Sequence, residues 1–573
     1  EEIKEEKIIP QAEIEAEKPR ETTEAFISDA ETETREAKGV HRAIDSKSRK
    51  GEAVSQPEAD DGSLFMSYLK KAGTGDIVAQ LKLGLIYQKG DQVAQDYIKA
   101  AKWFLKSAEQ GNADAQFHIG KMYHEGKGVE PSDTEAVKWF LKSAEQGIAA
   151  AQLHLATIYR EGRDVVRDDA EAAKWYLKAA DNENAEAQLN IGLMYKQGEG
   201  VAQNDTEAAQ WFLRSAEQEN PLAQFNLAVM YQDGKGVSQD DAEAVKWYLK
   251  AAAHEDIKAQ FNLAMMYQEG RGVKKNNAEA VKWLLKAAEK GSVEAQVNLG
   301  MMYQEGRGVL KDYAEAAKWF LQAAQQGFLD AQPILGMMYK EGKGVSQDNT
   351  EAAKWYTQAA EAGHLESQTA IAKMYKEGNG VPQNEAEAAK WYLKAAEQGN
   401  VDAQLNIGWM YQEGEGVVQD FAEASMWYQK AAGQGNVDAQ LNLGLMYKHG
   451  LGGVQDDAEA ARWFLQAAQQ GHVDAQTEIA ILYKEGKGIP QSDSEAIKWF
   501  LQAAEQGNES AQLNLGIMYL EGISVEQNDV EAAKWLLEAA QKGNPTAQKT
   551  IGILYLAGRG VAQDDAEAVM WYI

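Results

Sequence analysis

Apolar side chains recur at helical spacing in two segments of a short unit. In residues 223–231 the run Ala-Gln-Phe-Asn-Leu-Ala-Val-Met-Tyr places its apolar positions on one face of a helix, which we name helix A. Gly234 and Gly236 follow, and glycine readily takes the left-handed conformation that closes a helix. A second helix, helix B, is predicted to begin at Asp240 and to carry Trp247 on its apolar side.

The unit returns every 36 residues without an insertion or a deletion. A glutamine keeps this period from Gln80 to Gln548, and a tyrosine keeps it from Tyr87 to Tyr555. Neither helix can bury its apolar face alone, so neighbouring units must stack. The predicted fold class is therefore all-α, an α-solenoid of about fourteen 36-residue helix-turn-helix repeats. Its marker is a tryptophan at positions 103, 139, 175, 211, 247, 283, 319, 355, 391, 427, 463, 499, 535 and 571.

Helix B is preceded by a good N-cap residue (Asp, Asn or Ser) in every unit. Three positions later stands glutamate in 13 of the 14 copies, Lys99 being the exception. This is the capping-box pattern, in which the cap side chain accepts from a helix amide and the glutamate reaches back to the cap amide. These carboxylates are therefore predicted to be structural. The glycine after helix B becomes Glu183, Glu219 and Glu255 in three consecutive units, which predicts a different helix closure there.

Residues 1–62 lack this periodicity. They carry 18 acidic and 10 basic side chains, and we expect an acidic, disordered tail or linker that folding does not need. The repeat solenoid is predicted to span residues 63–573, with a degenerate N-terminal cap helix over residues 63–75. Its last repeat stops at Ile573, as expected of a fragment or a processed form.

Composition excludes several classes of function. The net charge of −30 disfavours nucleic acid and anionic membrane surfaces as partners. The chain has no cysteine, and no apolar run reaches the ~18 residues of a membrane span. It shows no nucleophile elbow, phosphate loop, dinucleotide fingerprint or zinc signature. We expect a protein that is not an enzyme, with no catalytic residue, cofactor or metal. A bacterial periplasmic, envelope or secreted location is favoured over the cytoplasm.

The motifs of the unit include residues 403–408 (Ala-Gln-Leu-Asn-Ile-Gly), 410–411 (Met-Tyr), 413–417 (Glu-Gly-Glu-Gly-Val) and 422–428, from Ala-Glu-Ala to Trp-Tyr. By these motifs the unit resembles the Sel-1-like repeat, a subfamily of the tetratricopeptide repeats. The resemblance covers about residues 63–573 and implies a right-handed superhelix that serves as an adaptor for protein assembly. A cysteine-rich branch of the family has been linked to β-lactam binding, which does not carry over to a chain without cysteine.

By this resemblance, the positions one, five and eight after the repeated glutamine face inward. An apolar row with a methionine run (Met265, Met301 and Met337) could accept a partner helix or peptide. The alternative is that tight winding buries the row against neighbouring repeats. The fifth position reads Leu85, Lys121, Thr157, Leu193, Val229, Met265, Met301, Met337, Lys373, Trp409, Leu445, Ile481, Ile517 and Ile553.

Two places break the repeat. Trp409 is the only tryptophan outside the periodic site, and tryptophan is enriched among binding hot spots, so it is the first candidate anchor. In the first three repeats, a basic cluster that could bind an acidic segment is predicted from Lys82, Lys121, His124 and Arg160, together with His118 and His154.

Three functions are compatible with these patterns. The first is a non-enzymatic scaffold or adaptor that binds a protein or peptide partner on the inner face. The second is a structural spacer or self-assembling solenoid. The third and least favoured is an envelope hydrolase or cell-wall-binding protein, because an enzyme would need a catalytic cluster that interrupts the repeat.

Overall fold

The computed structural model describes residues 61–572, and its side chains from Leu64 onward. This range contains 29 α-helices and no strand. In chain order they are α1 Asp61–Gly73, α2 Ile77–Lys89, α3 Tyr97–Glu109, α4 Ala113–Glu125, α5 Asp133–Glu145, α6 Ala149–Glu161, α7 Asp169–Asp181, α8 Ala185–Gln197, α9 Asp205–Glu217, α10 Pro221–Asp233, α11 Asp241–Ala253, α12 Ile257–Glu269, α13 Asn277–Glu289, α14 Val293–Glu305, α15 Tyr313–Gln325, α16 Ala331–Glu341, α17 Asn349–Glu361, α18 Leu365–Glu377, α19 Glu385–Glu397, α20 Val401–Glu413, α21 Phe421–Gly433, α22 Val437–His449, α23 Asp457–Gln469, α24 Val473–Glu485, α25 Asp493–Glu505, α26 Glu509–Glu521, α27 Asp529–Gln541, α28 Pro545–Ala557 and α29 Asp565–Tyr572.

The helices alternate as the pattern predicted. The even-numbered helices are helix A and the odd-numbered ones from α3 onward are helix B, which confirms the all-α solenoid. The cap helix α1 begins at Asp61 and buries Phe65, Leu69 and Ala72 against the first repeat. The predicted tail, residues 1–62, lies outside the described residues except for its last two, which begin α1.

The chain divides into two compact units, residues 1–276 and 277–573. The described part of the first unit holds α1–α12, and that of the second holds α13–α29. Each unit has cores of the same construction. Trp175 and Tyr176 are buried in one core of the first unit, and Trp391 and Tyr392 in one core of the second.

Each core forms where a ring of helix B meets a small residue of helix A. Nine of the fourteen periodic tryptophans are buried, Trp247 among them at 8% exposed. The residue after the tryptophan packs more deeply, as Phe104 does at 0% exposed. A Cβ added to Gly84 would lie 2.5 Å from Phe104 Cδ1, so the glycine permits this close approach.

Half of the predicted capping box is wrong. Cap side chains do accept from helix amides, as Asp240 Oδ1 accepts from the amide of Glu243 at 3.0 Å. The cap amide, however, donates to a tyrosine carbonyl of the preceding helix A, Asp240 N to Tyr231 O at 2.9 Å. Since that donor is taken, Glu243 instead pairs with Lys246, whose Nζ lies 2.5 Å from its carboxylate. The backbone carbonyl of the repeated tyrosine thus fixes the turn between helices A and B.

The expectation of a different closure after three copies of helix B is also wrong. Glu183, Glu219 and Glu255 adopt φ of 60°, 65° and 66°, the left-handed region in which equivalent glycines such as Gly111 lie at 91°. Glu219 N donates to Ala216 O at 3.1 Å, as Gly111 N donates to Ala108 O at 3.0 Å. The helix closes in the same way, and these glutamates bear the strain of a left-handed backbone.

The repeated glutamine joins successive repeats. Gln116 is buried, and its Nε2 donates to Ala108 O, near the end of the preceding helix B, at 3.1 Å. Its Oε1 accepts from Gln146 Nε2 of the following helix B at 2.7 Å. Because a buried amide needs partners for both of its ends, this side chain fixes the spacing of three helices.

Candidate partner-binding site

Helix A carries one buried row and two accessible rows of side chains. The residue three after the repeated glutamine is buried in all fourteen repeats, from Leu83 to Ile551. The residues five and eight after it are buried in none of them. Successive helix positions turn by about 100°, so the last two rows adjoin each other and point away from the core row. We name these two rows the open stripe, and tight winding does not bury it.

The second row of the open stripe is polar over most of its length. In the first twelve repeats it carries only amides, lysines, one histidine and one arginine, and in the last two it carries leucine. Neither row of the stripe contains an aspartate or a glutamate in any repeat, although the chain has 88 of them. The second row reads Gln88, His124, Arg160, Lys196, Gln232, Gln268, Gln304, Lys340, Lys376, Gln412, Lys448, Lys484, Leu520 and Leu556.

Trp409 lies half-buried on α20 in the second unit. Its ring packs against the buried cores of two neighbouring repeats. Lys376 Nζ of the preceding repeat lies 3.7 Å from the ring centroid, a cation–π contact between the two rows of the stripe. Trp409 is thus less open than the sequence interpretation assumed, but it keeps an accessible edge.

The three predicted methionines occupy equivalent positions. Met265 lies half-buried on α12 in the first unit. In the second unit Met301 is half-buried on α14, and Met337 is 39% exposed on α16. Each is a flexible apolar side chain at the accessible edge of its repeat.

The predicted basic residues of the first unit begin on α2 and α4. Lys82 is exposed on α2. On α4, Lys121 Nζ lies 3.6 Å from a carboxylate oxygen of Glu125. His124 Nδ1 lies 2.5 Å from Oδ1 of Asp133, a buried residue at the start of α5. Lys121 and His124 therefore both have acidic partners.

The two other histidines are packing residues. The His118 ring stacks on Phe104 with centroids 4.8 Å apart and planes 9° apart, and His154 stacks on Phe140 at 5.4 Å and 8°. Burial lowers the pKa of both imidazoles, and the nearby charge of Lys121 lowers it further. They contribute aromatic contacts in the neutral form, so the predicted basic cluster is less basic than its residue types indicate.

Arg160 stands at the edge of a cavity of about 530 Å³ in the first unit. Its Nη2 lies 3.1 Å from Glu199 Oε2, and its Nη1 donates to Asn190 Oδ1 at 3.4 Å. The hydroxyls of Thr157 and Tyr176, 3.1 Å apart, line the same cavity. Four elements thus converge there: α6, α7, α8 and the turn after α8.

The second row of the stripe also reaches across repeats elsewhere. Lys196 Nζ donates to Asn226 Oδ1 at 3.1 Å in the first unit, and Lys484 Nζ donates to Asn514 Oδ1 at 3.1 Å in the second. Burial lowers the pKa of the Lys196 ammonium. These contacts hold the polar side chains of the stripe in defined positions.

Comparison with known proteins identifies the repeat. A family model described as the Sel1 repeat matches fourteen consecutive segments, which cover residues 77–328 and 330–573. The chain belongs to the Sel1 repeat family. Sel1 repeat proteins generally mediate protein–protein interaction, and their fold is typically a non-catalytic scaffold. A search among curated proteins gives no match.

Two solved structures of similar proteins have comparable sequence identity. One is c5321, described as a protective antigen present in uropathogenic Escherichia coli strains that displays an SLR fold. It is 34% identical, over 76% of this chain and 93% of that one, with a TM-score of 0.61. The other, a Sel1 repeat protein from Oxalobacter formigenes, is 32% identical over 58% of this chain and 99% of that one, with a TM-score of 0.45.

In nine repeats the glutamate after the N-cap of helix B pairs with a lysine, as Glu135 does with Lys138 at 2.6 Å. Between residues 61 and 572, no group of three or more His, Cys, Asp or Glu side chains could hold a metal ion. In the same range, every helix is too short or too polar to cross a membrane.

The sequence interpretation missed residues that the structure makes prominent. Thr157 was not a candidate, although it is the only small polar side chain in the first row of the stripe. The absence of carboxylates from the second row was also readable from the sequence. The contribution of Tyr176 and Asn190 was not, because only packing between repeats brings them to Arg160.

Proposed function

We propose that this chain is a non-enzymatic scaffold that binds a protein or peptide partner along the open stripe. The observation that carries the proposal is an accessible double row of apolar, amide and basic side chains without one carboxylate, in a chain of net charge −30. Neither row contains an aspartate or a glutamate in any of the fourteen repeats.

The helix dipole does not account for this departure. The second row lies in the last turn of helix A, where a cation is favoured by the partial negative charge of the helix terminus. The very next position lies in the same turn, yet it is acidic in ten of the fourteen repeats, for example at Glu125 and Glu161. The helix terminus therefore does not by itself account for the missing acids of the second row, which favours a binding role.

The side chains of the stripe indicate the chemistry of the partner. Apolar residues of the first row suit the apolar face of a helix or the side chains of an extended peptide. Lysines of the second row, such as Lys340 and Lys376, suit carboxylates on that partner. We propose an acidic, amphipathic segment as the bound element.

A capture experiment with paired variants tests this proposal. The full chain is used to recover a partner, and its affinity is then measured for Lys340→Glu, a change in the stripe, and Lys343→Glu, a change in the exposed turn three residues away. Lys340→Glu is expected to weaken binding at least ~10-fold and Lys343→Glu less than ~2-fold, since charge reversal matters only where a partner contacts it. Equal effects would contradict stripe binding.

Trp409→Ala provides an apolar counterpart in the second unit. We expect a loss of ~2 kcal/mol or more of binding free energy if Trp409 is an anchor. Val418→Ala is the matched control, because Val418 is 88% exposed in a turn off the stripe. A spacer or self-assembling solenoid would show no response of a bound partner to either substitution.

The compartment that we propose is the bacterial envelope or the exterior of the cell. It is supported by the similarity to an Escherichia coli protein described as a protective antigen. Fractionation of cells that make the full-length protein tests it, and recovery in the cytoplasmic fraction alone would contradict it.

A further inference from the structure

The cavity beside Arg160 is a feature that a partner bound along the surface of the stripe does not need. Its volume of about 530 Å³ lies within the range of ~300–1,000 Å³ that is usual for ligand sites. It is lined by polar side chains of two successive repeats, which include two arginines and three glutamates: Thr157, Arg160, Glu161, Arg167, Tyr176, Glu186, Asn190 and Glu199.

The cavity exists because one side chain in the first row of the stripe is small. In the other thirteen repeats this position carries Leu, Val, Met, Ile, Lys or Trp. Thr157 leaves room above the Tyr176 ring and offers a hydroxyl 3.1 Å from the Tyr176 hydroxyl. A leucine, as found at Leu193 in the next repeat, would fill part of this space with an apolar group.

Arg160 is the only arginine in the second row of the stripe. Its guanidinium carries five N–H donors in a planar fork that suits a carboxylate bidentately. One nitrogen meets Glu199 at 3.1 Å and one meets Asn190 at 3.4 Å, so donors remain for a second acceptor. The side chains of Arg160 and Glu199 are 27% and 36% exposed, so the pair is open to exchange with a ligand.

Glu199 is itself unusual. It occupies the residue between the two turn glycines, where the neighbouring repeats carry Arg163 and Lys235. The turn thus presents an internal carboxylate to Arg160 where a cation is usual.

We propose that the cavity is a carboxylate-binding subsite, in which a carboxylate of the partner takes the place of Glu199 on Arg160. This inference rests on the proposed function, because it assigns a ligand chemistry to one point of the stripe. The Thr157 hydroxyl donates to Leu153 O at 3.0 Å, so the further donor to a bound oxygen atom is the Tyr176 hydroxyl, 3.1 Å from Thr157 Oγ1. The carboxylate comes from an acidic side chain or from a chain terminus.

Three short peptides serve as probes of the full chain. The first is acetyl-Gly-Ser-Glu-Ser-Gly-amide, whose only carboxylate is a side chain. The second has glutamine in place of glutamate and a free C-terminal carboxylate, and the third has glutamine and an amide, so it carries no carboxylate. Binding is measured by calorimetry at low ionic strength, where a charged contact is least screened.

We expect the third peptide not to bind. At least one of the first two is expected to bind about tenfold more tightly to Glu199→Gln than to the wild type, since the internal competitor is removed. Arg160→Gln and Thr157→Leu are expected to weaken that binding at least ~10-fold. The control Lys235→Gln removes the same charge from an exposed turn and is expected to change the affinity less than ~2-fold. Preference for the first peptide assigns the site to acidic side chains, and preference for the second assigns it to chain termini.

The proposal is overturned if neither carboxylate peptide binds Glu199→Gln at millimolar concentration, or if Arg160→Gln and Lys235→Gln behave alike. Failure of the proposed function looks different. If a captured partner still responds to Lys340→Glu while the peptides show no dependence on Arg160, only the subsite is wrong. If the peptides depend on Arg160 but no partner responds to the stripe variants, the scaffold proposal fails and the subsite stands.

Discussion

The two units use the same helices to present the open stripe but fill it with different side chains. In the first unit the stripe holds Lys121, His124 and Arg160, each with an acidic partner, and the small Thr157 that leaves a cavity. In the second unit it holds larger apolar groups, such as Trp409. This unit also has apolar side chains in both rows of its last two repeats, at Ile517, Leu520, Ile553 and Leu556.

This difference teaches that the framework and the stripe are separate parts of the repeat. The buried tryptophans, the repeated glutamine and the helix caps are shared by both units, so stacking is preserved whatever the stripe carries. Residues at the accessible edge contribute little to stacking, so the stripe tolerates change. Substitutions that act only on the framework or only on the open stripe can test this separation.

The largest expected effect distinguishes framework from stripe. Trp247→Ala in the first unit and Trp427→Ala in the second each remove a buried ring, 8% and 4% exposed, and should cost ~3–5 kcal/mol of local stability. Trp409→Ala should cost clearly less, because its ring is only half-buried. Hydrogen exchange of each repeat measures the losses, which should stay within the altered repeat and its neighbours. Equal losses for Trp409 and Trp427 would place Trp409 in the framework.

A pH-dependent effect should distinguish the first unit from the second. Burial lowers the pKa of His118 and His154, so below about pH 6.5 the unfolded chain binds more protons than the folded unit does. The stability that these residues contribute is present above that pH and is lost as the pH falls. Each unit of pKa difference corresponds to ~1.4 kcal/mol.

The matched variant replaces both histidines by asparagine, the residue that the next repeat carries at Asn190. Urea unfolding, followed by hydrogen exchange in the first unit at pH 7.5 and pH 5, measures the effect. The double variant should lose the acid sensitivity of the wild type around α4 and α6. An unchanged pH dependence would show that other groups in the unit cause it.

The smallest expected effect concerns the residue that closes helix B. The first unit has Glu183, Glu219 and Glu255 there, whereas the second has glycine at the equivalent places, for example Gly399. Glu219→Gly should stabilise the first unit by about 1 kcal/mol, since a non-glycine residue is strained in the left-handed region. Gly399→Glu should destabilise the second unit by a similar amount, because an added Cβ meets no atom and only the strain remains. Thermal unfolding of both variants checks the pair, and the same sign of change in both would refute the explanation.

Most of the fold was predictable because its signals are local. The N-cap of helix B and the glycine that closes helix A are read within a few residues, and the period of 36 requires stacking. Half of the capping-box prediction was wrong because the amide of Asp240 donates a hydrogen bond to Tyr231 O, nine residues earlier in the chain. The prediction of a different helix closure at Glu219 was wrong because the amide of Glu219 keeps its hydrogen bond to Ala216 O, although glutamate is unfavourable in the left-handed region.

The candidate site was predictable only in part. The sequence pointed to Arg160 and Trp409 because each departs from its equivalents in other repeats. The charge of His118 and His154 was misjudged, because their stacking on Phe104 and Phe140 depends on contacts between helices.

The sequence by itself determined the repeat, its two helices and the need to stack, since short amphipathic helices bury their apolar faces only against neighbours. The tertiary structure alone decided which rows of helix A remain accessible and which side chains meet across repeats. Thr157, Tyr176, Asn190 and Glu199 come from different elements and line one cavity around Arg160. That convergence depends on how one repeat packs on the next, and no pattern within a single repeat contains it.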